Sequence, residues 1–520
     1  MSEHAVVRTE SLGGSPLSRA ARNGELRQWY RATPDGDQWT QYARDVAASV
    51  SADWLDDLRG AIAPSGAALS RLSKSAGGKG VVITTGQQPG LFGGPLMTLI
   101  KAISARALAD VLSAKTGLPV APLFWSATDD ADFDEAAGVS VAMDGGAKEL
   151  RLDQRAPAGT PMSRVPINGE ISEHARILRD ACGSSPHRSY LEAALSSFRD
   201  GATIGDAYTS LLRTILEPLE MAVLDASHPD VARRAAPLLR KAAANGDDIA
   251  AAAHTRVTEI VGASFKPQVE EVPGLSMVFL NSNGTKRRLP LREAATLADS
   301  RDAFLSATVL LRPVLERAIV PTAAYVAGPG EFAYFAQVSA VAESLGVPTP
   351  FVVPRWSATI VEPRTQRILN EFGLKIEDLA DPHAADSRIA RARLSPDAAR
   401  SLQSLRGDMR SGIENLRRSS DGLVPGRVLD GLQRSIEHRL ERTERRLIAG
   451  VKRLESDAMR QLATARGSLF PHGARQERKL AYIPFLARYG PELLEQLLEG
   501  AREHARLIVG TAVEQTAPVA

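Results

Sequence analysis

The chain has 520 residues, more than one ordinary hydrophobic core accommodates, so about two to four packed units are expected. Its 63 Lys and Arg nearly balance 61 Asp and Glu, for a net charge of +2, and no long block of either sign gives a footprint for nucleic acid. No apolar run reaches the roughly 18 residues of a membrane span, Met1-Ser2-Glu3-His4 does not open a secretory signal, and the single cysteine, Cys182, excludes an internal disulfide and a Cys-rich metal site. A cytoplasmic protein with no membrane or nucleic-acid partner is the expectation.

Residues 1–80 read as helical and polar, with Trp29, Tyr30, Trp39, Tyr42 and Trp54 as packing anchors. Next comes an apolar β-branched run, Val81-Val82-Ile83, then Thr84-Thr85-Gly86-Gln87-Gln88-Pro89-Gly90-Leu91-Phe92-Gly93-Gly94-Pro95, then a helical pattern over 96–112. Strand, glycine-rich turn and helix form the entry to a nucleotide-type α/β site. Glycines let the backbone approach a ligand closely, and the helix start favours an anion. The turn is neither GxxxxGK[ST] nor GxGxxG. Pro119-Val120-Ala121-Pro122-Leu123-Phe124-Trp125 reads as a second strand, followed at once by Asp129, Asp130, Asp132, Asp134 and Glu135. Ligands of open α/β sheets lie beyond the strands' C-terminal ends, so the glycine turn and the acidic cluster are expected to face one crevice.

Residues 151–265 read as an insertion, opening with strands at 149–152 and 164–167 and continuing with Ala- and Leu-rich helices. Strand-like runs return at 277–280, 323–327 and 350–353, and the middle one ends in Gly328-Pro329-Gly330-Glu331, a second strand, glycine turn and helix start. From Leu394, Ala398, Leu402, Leu405, Met409, Ile413 and Leu416 onward, apolar residues recur every three or four positions with charges between them, which is coiled-coil periodicity. The break at 419–426 makes this an antiparallel helical hairpin. An amphipathic helical tail over 476–498 is expected to return to the sheet. The segments are 1–80, 81–150 (first half of the core), 151–270 (connective insertion), 271–384 (second half), 385–470 (coiled-coil hairpin) and 471–520 (C-terminal helical segment).

Clustered carboxylates can hold a hard cation, move protons or orient an ammonium group; the same cluster also suits a plain helix N-terminus. Glu331, Tyr334 and Gln337 fall roughly on one helical face. Arg355 follows an apolar strand and can bind a carboxylate or phosphate in bidentate fashion. The nine histidines are scattered, with no HExxH, and no GxSxG is present, which speaks against zinc and serine hydrolases. Cys182, in Ala-Cys-Gly-Ser, reads as inert. No metal-ligand set is expected.

The stretch 85–96 with Lys101-Ala102-Ile103, Phe124-Trp125 with Asp132-Phe133-Asp134-Glu135, the run 325–337, Pro354-Arg355 with Ser357-Ala358-Thr359, and Tyr489-Gly490-Pro491 together resemble the bacillithiol biosynthesis cysteine-adding enzymes, in order along nearly the whole chain. The resemblance implies a Rossmann-like core akin to class I aminoacyl-tRNA synthetases, with connective insertions and a dimerising coiled coil. It implies addition of L-cysteine to the amine of glucosaminyl malate; because a free carboxylate needs activation to form an amide, ATP, with Mg²⁺, and a cysteinyl-adenylate are the natural route, as in the look-alike synthetases. On that basis Gly86, Gln87, Gln88, Gly90 and Gly94 shape the nucleotide pocket. Asp130, Asp132 and Glu135 are the catalytic carboxylates, anchoring the cysteine ammonium or the amino sugar. Gly328, Gly330, Glu331, Tyr334 and Gln337 form the opposite wall, and Arg355 meets malate carboxylates or a phosphate. One departure stands out: where the family usually shows His between the acidic pair and Asp-Phe, this chain has Ala131. A non-catalytic or altered-substrate nucleotide- or metabolite-binding dimer is therefore the competing reading. A tRNA-linked synthetase relative is disfavoured by the weak basicity.

Overall fold

A computed structural model describes residues 4–77, 79–300 and 302–510, which fall into two compact units. The larger contains His4–Val141, Glu149–Ile360 and residues 477–510; the smaller contains Ala142–Lys148 and Val361–Gln476.

The larger unit is built on five parallel strands: β1 (Val81–Gln87), β2 (Val120–Ser126), β3 (Ala222–Asp225), β4 (Thr322–Ala327) and β5 (Val352–Pro354). Their order across the sheet is β5-β4-β1-β2-β3. β2 and β4 are buried along their whole length, as expected where helices cover both faces. The chain steps outward from β1 through β2 to β3, then returns to lay β4 on the other side of β1. The order therefore reverses between β1 and β4, and in such sheets the ligand crevice opens at that point. β1 pairs with β2 from Val81 opposite Val120 to Gln87 opposite Ser126.

Helix α1 (Leu96–Thr116) follows β1, and a single turn, α2 (Phe133–Ala136), follows β2. α1 is buried on nearly every side and ends at Gly117, left-handed at φ 67°. Helix α3 (Arg312–Ile319) precedes β4, and α4 (Pro329–Ser344) follows it, with Pro329 at its first turn.

Three expectations change here. Ala222–Asp225, within the segment read as an insertion, is the fifth core strand; four residues between helices carry too little period to distinguish strand from helix. The run around 277–280 does not rejoin the core sheet. Leu275–Ser282 pairs antiparallel with Thr285–Pro290 and Leu305–Ala307 in a separate three-stranded sheet. Its hairpin turns on Asn283-Gly284, both at positive φ (50° and 82°). The strand expected at 164–167 is a helical turn, Met162–Arg164, and one bridge from Pro166 to Thr203; a proline cannot donate to a ladder.

In the smaller unit, α5 (Pro396–Ser419) and α6 (Gly426–Leu454) pair as an antiparallel hairpin. Arg406 reaches Glu444 (3.0 Å), Arg410 reaches Glu437 (3.2 Å) and Arg417 reaches Asp430 (2.6 Å), so one partner's number falls as the other rises. Asp421 and Gly422, at φ 43° and 80°, make the turn. A separate apolar cluster, including Ile368, Leu379, Leu462 and Leu469, anchors the hairpin's base.

The chain re-enters the larger unit as α7 (Ile483–Val509), kinked at Gly490 and packed along α1, with Leu493, Leu494, Leu497 and Leu498 buried. Among the described residues no helix is long and apolar enough to cross a membrane.

Candidate active site

Beyond the C-terminal ends of β1, β2 and β4 lies a cavity of 770 Å³. Gly86 is the penultimate residue of β1, beside β2; a Cβ there would lie 2.9 Å from the Trp125 carbonyl oxygen, so only glycine fits.

Lys101 on α1 ties the two lips of this crevice. Its ammonium donates to the Gly86 carbonyl (2.8 Å) and to Gln87 Oε1 (2.9 Å), and it pairs with Glu331 Oε2 at 2.5 Å. All three ammonium protons have acceptors. Glu331 also accepts from the Gly328 N–H (2.8 Å) and from the Tyr325 hydroxyl (2.7 Å). Burial lowers the Lys101 pKa against the pull of Glu331. Burial would raise Glu331, but Lys101 and Arg312 together bring it below its ordinary value. This pair joins β1 to the start of α4 and leaves little capacity for a ligand. Behind it, burial raises Glu316 on α3 to about 7.

At the β2 end, Gln88 donates to Asp130 Oδ2 (2.6 Å), while Asp130 Oδ1 accepts from the backbone N–H groups of Ala131 (2.6 Å) and Asp132 (3.2 Å). Asp130, Ala131 and Glu135 line the cavity, as does Asp129. Burial pushes the Asp129 carboxyl up, against the field of Lys286. Glu135 is also pushed up, by burial and then by Asp132 and Asp130. A carboxylate held above its ordinary range is a better proton acceptor near neutrality.

Of the residues singled out from sequence, the cavity gathers Gly86, Gln87, Gln88, Asp130, Glu135, Gly328, Gly330, Glu331, Tyr334 and Arg355. Others lie outside its lining. Asp132 accepts from the Glu135 N–H and caps α2. Gly90 lines a smaller adjoining pocket, and Gly90 and Gly94 cross so closely that a Cβ on Gly90 would meet the Gly94 Cα at 2.8 Å. Gln337 is buried against the backbone of Val269, donating to its carbonyl (2.9 Å) and accepting from its N–H (3.0 Å). Arg355 lines the cavity, but its fork grips Glu477 at 2.7 and 2.8 Å and the Trp356 carbonyl at 2.8 Å. It is 1% exposed, so its charge is already answered.

Residue patterns pointed to one family, and the fold agrees with it. The family model described as "Bacillithiol biosynthesis BshC, N-terminal Rossmann-like domain" matches residues 20–356, and that of the C-terminal coiled-coil domain matches residues 358–506. The chain belongs to the BshC family. Relatives in Solibacter usitatus (31% identical; 86% of this chain and 88% of the relative), Koribacter versatilis (30%; 86% of each) and Symbiobacterium thermophilum (27%; 95% and 97%) are each named "Putative cysteine ligase BshC".

The chain also brings to its cavity residues that sequence reasoning did not select: Asp129, Lys101, Arg312, Lys286 and Arg288. Asp129 stood in the acidic cluster without a role. Lys101 stood in a quoted motif. Arg312 donates to the Tyr334 hydroxyl (3.2 Å). Lys286 and Arg288 come from the antiparallel hairpin, whose Asn283-Gly284 turn was the signal available in the sequence.

Proposed function

We propose that this chain is a ligase that joins the carboxyl group of L-cysteine to the amine of glucosaminyl malate, giving bacillithiol, with ATP-dependent activation of the carboxylate. The family's place in bacillithiol biosynthesis and the shared name of the relatives support the reading. The observation that carries it on this chain is the make-up of the switch-point cavity. Carboxylates with raised pKa, Asp129 and Glu135, share it with the cations Lys286, Arg288 and Arg312. The amine attacks as a free base, and Glu135 or Asp129 takes the proton it sheds. Asp130, fixed by Gln88 and two backbone N–H groups, orients the ammonium or sugar hydroxyls. A free carboxylate does not acylate an amine unaided; ATP would supply the activation, so that attack by the amine breaks the bond from the carbonyl carbon to an oxygen that leaves on AMP or phosphate. Any Mg²⁺ would be held as the counter-ion of the nucleotide's phosphates.

Purified protein incubated with L-cysteine, glucosaminyl malate, ATP and Mg²⁺ is expected to yield the thiol product by mass spectrometry and to catalyse cysteine-dependent pyrophosphate exchange. Neither product nor exchange would reject the ligase reading.

One observation favours the alternative of altered substrate or binding without catalysis: Ala131 lines the cavity wall, where the family's motif carries His. A positioned acid or base contributes about 10²–10⁴-fold. If Ala131→His raises kcat by that order, the alanine marks lost chemistry. An unchanged kcat in an active enzyme makes it a tolerated replacement.

A further inference from the structure

The hairpin strand Thr285–Pro290 borders the cavity with alternating side chains. Arg287, on one face, is paired with Glu293. Lys286 and Arg288, on the other face, both line the cavity; neither forms an ion pair among the described residues, although Asp129 in the same cavity feels the Lys286 charge. The Lys286 ammonium lies 4.9 Å from the Phe279 ring centroid. Arg288 uses Nε on the Ser276 carbonyl (2.7 Å), and a terminal nitrogen lies 3.8 Å from the Met277 sulfur. Both residues are half-buried, and Arg312 adds a third guanidinium to the same cavity. Arg355, the cation that sequence reasoning set aside for an anion, is neutralised by Glu477.

Half-buried cations without a close ion-pair partner are unfavourable unless a ligand compensates them. We infer that Lys286 and Arg288 form an oxyanion-binding wall that holds a multiply charged, oxygen-rich part of a substrate. Under the ligase reading, on which this assignment rests, two groups have that chemistry: the triphosphate of the nucleotide and the dicarboxylate of the malate moiety. Lys286 supplies a mobile point charge and Arg288 a planar fork, a combination suited to several oxygens at once.

Titration calorimetry of the full chain with inorganic tripolyphosphate, and separately with L-malate, tests the wall without requiring turnover. The wild type is expected to bind at least one probe, more weakly at high salt. Lys286→Gln, whose ammonium makes no hydrogen bond within the described protein, is expected to weaken that binding about tenfold or more at unchanged Tm. Arg288→Lys, which keeps the charge but loses the fork, is expected to weaken it less than Arg288→Gln. A loss confined to tripolyphosphate assigns the wall to the nucleotide; one confined to malate assigns it to the amino-sugar substrate. Absence of binding by the wild type, or equal affinity in Lys286→Gln, overturns the inference. An enzyme that forms the thiol with KM values for ATP and glucosaminyl malate untouched by Lys286→Gln also overturns it, and leaves the ligase reading standing. A chain that forms no thiol yet binds an anion through Lys286 does the reverse.

Discussion

At the scale of single residues, the crevice is governed by buried charges that answer one another. Lys101 and Glu331 pair where burial alone would neutralise each. Removing one partner leaves the other uncompensated, a change that costs about 3–5 kcal/mol, whereas removing both is often far milder. Lys101→Met and Glu331→Gln singly are therefore expected to lower the midpoint of urea unfolding strongly, and the double variant less than the sum. Strict additivity would show that the pair is not coupled. Glu316 has a different sign. Its folded pKa of about 7 lies above the unfolded value, because burial disfavours the charged form. Folding therefore binds its proton, and the associated stability is complete below the unfolded pKa and lost as pH rises through about 7. The loss is on the order of 2–4 kcal/mol for a shift of this size. Glu316→Gln carries no such loss, so its stability relative to wild type is expected to rise between pH 5 and pH 8. A difference independent of pH would mean that Glu316 is already ionised in the folded protein.

At the scale of elements, the hairpin α5–α6 keeps apolar residues that its described neighbours cover only in part. Leu405, Leu416, Val428, Leu432 and Leu447 are 38–54% exposed. Leu405 and Leu416 lie three helical turns apart, and Val428 and Leu432 one turn apart, so each pair shares a face. Covering such a stripe is the usual reason for a second chain, and a homodimer through the hairpin is expected in light scattering. Leu432→Glu with Leu447→Glu is expected to shift it towards monomer; a monomeric wild type would end the idea. This hairpin was readable because its three-and-four spacing runs for many turns. β1, β2 and β4 were readable because apolar runs end in glycine or acidic turns. β3 was not, since Ala222-Val223-Leu224-Asp225 is too short to show a period. In the site, the glycine turn and acidic cluster pointed to the crevice, but sequence could not say which oxygens were already occupied. Arg355 read as a free cation because its partner, Glu477, is 122 positions away. Lys286 and Arg288 went unselected because a hairpin in the other half of the chain brings them there.

At the scale of the whole molecule, chain order and packing order differ. The Rossmann-like match ends at residue 356, yet the larger unit also contains α7, which the chain reaches only after passing through the smaller unit. α7 packs along α1, the helix that follows the glycine turn and carries Lys101, and its Leu493, Leu494, Leu497 and Leu498 are buried. Burial of a leucine side chain contributes about 1.5–3 kcal/mol, so four of them rival the ~5–15 kcal/mol that holds a domain folded. Losing α7 also uncovers α1, whose apolar surface runs almost all round. A fragment ending at residue 357 would retain every strand of the core sheet and most of the cavity lining. It is nevertheless expected to be insoluble or molten, with no cooperative thermal transition by near-UV circular dichroism. Supplying residues 477–510 in trans, as a separate peptide, is expected to restore part of that transition. A fragment that melts cooperatively without the peptide would show that the sheet and its preceding helices suffice, and that α7 is an accessory to the crevice and not a wall of its foundation.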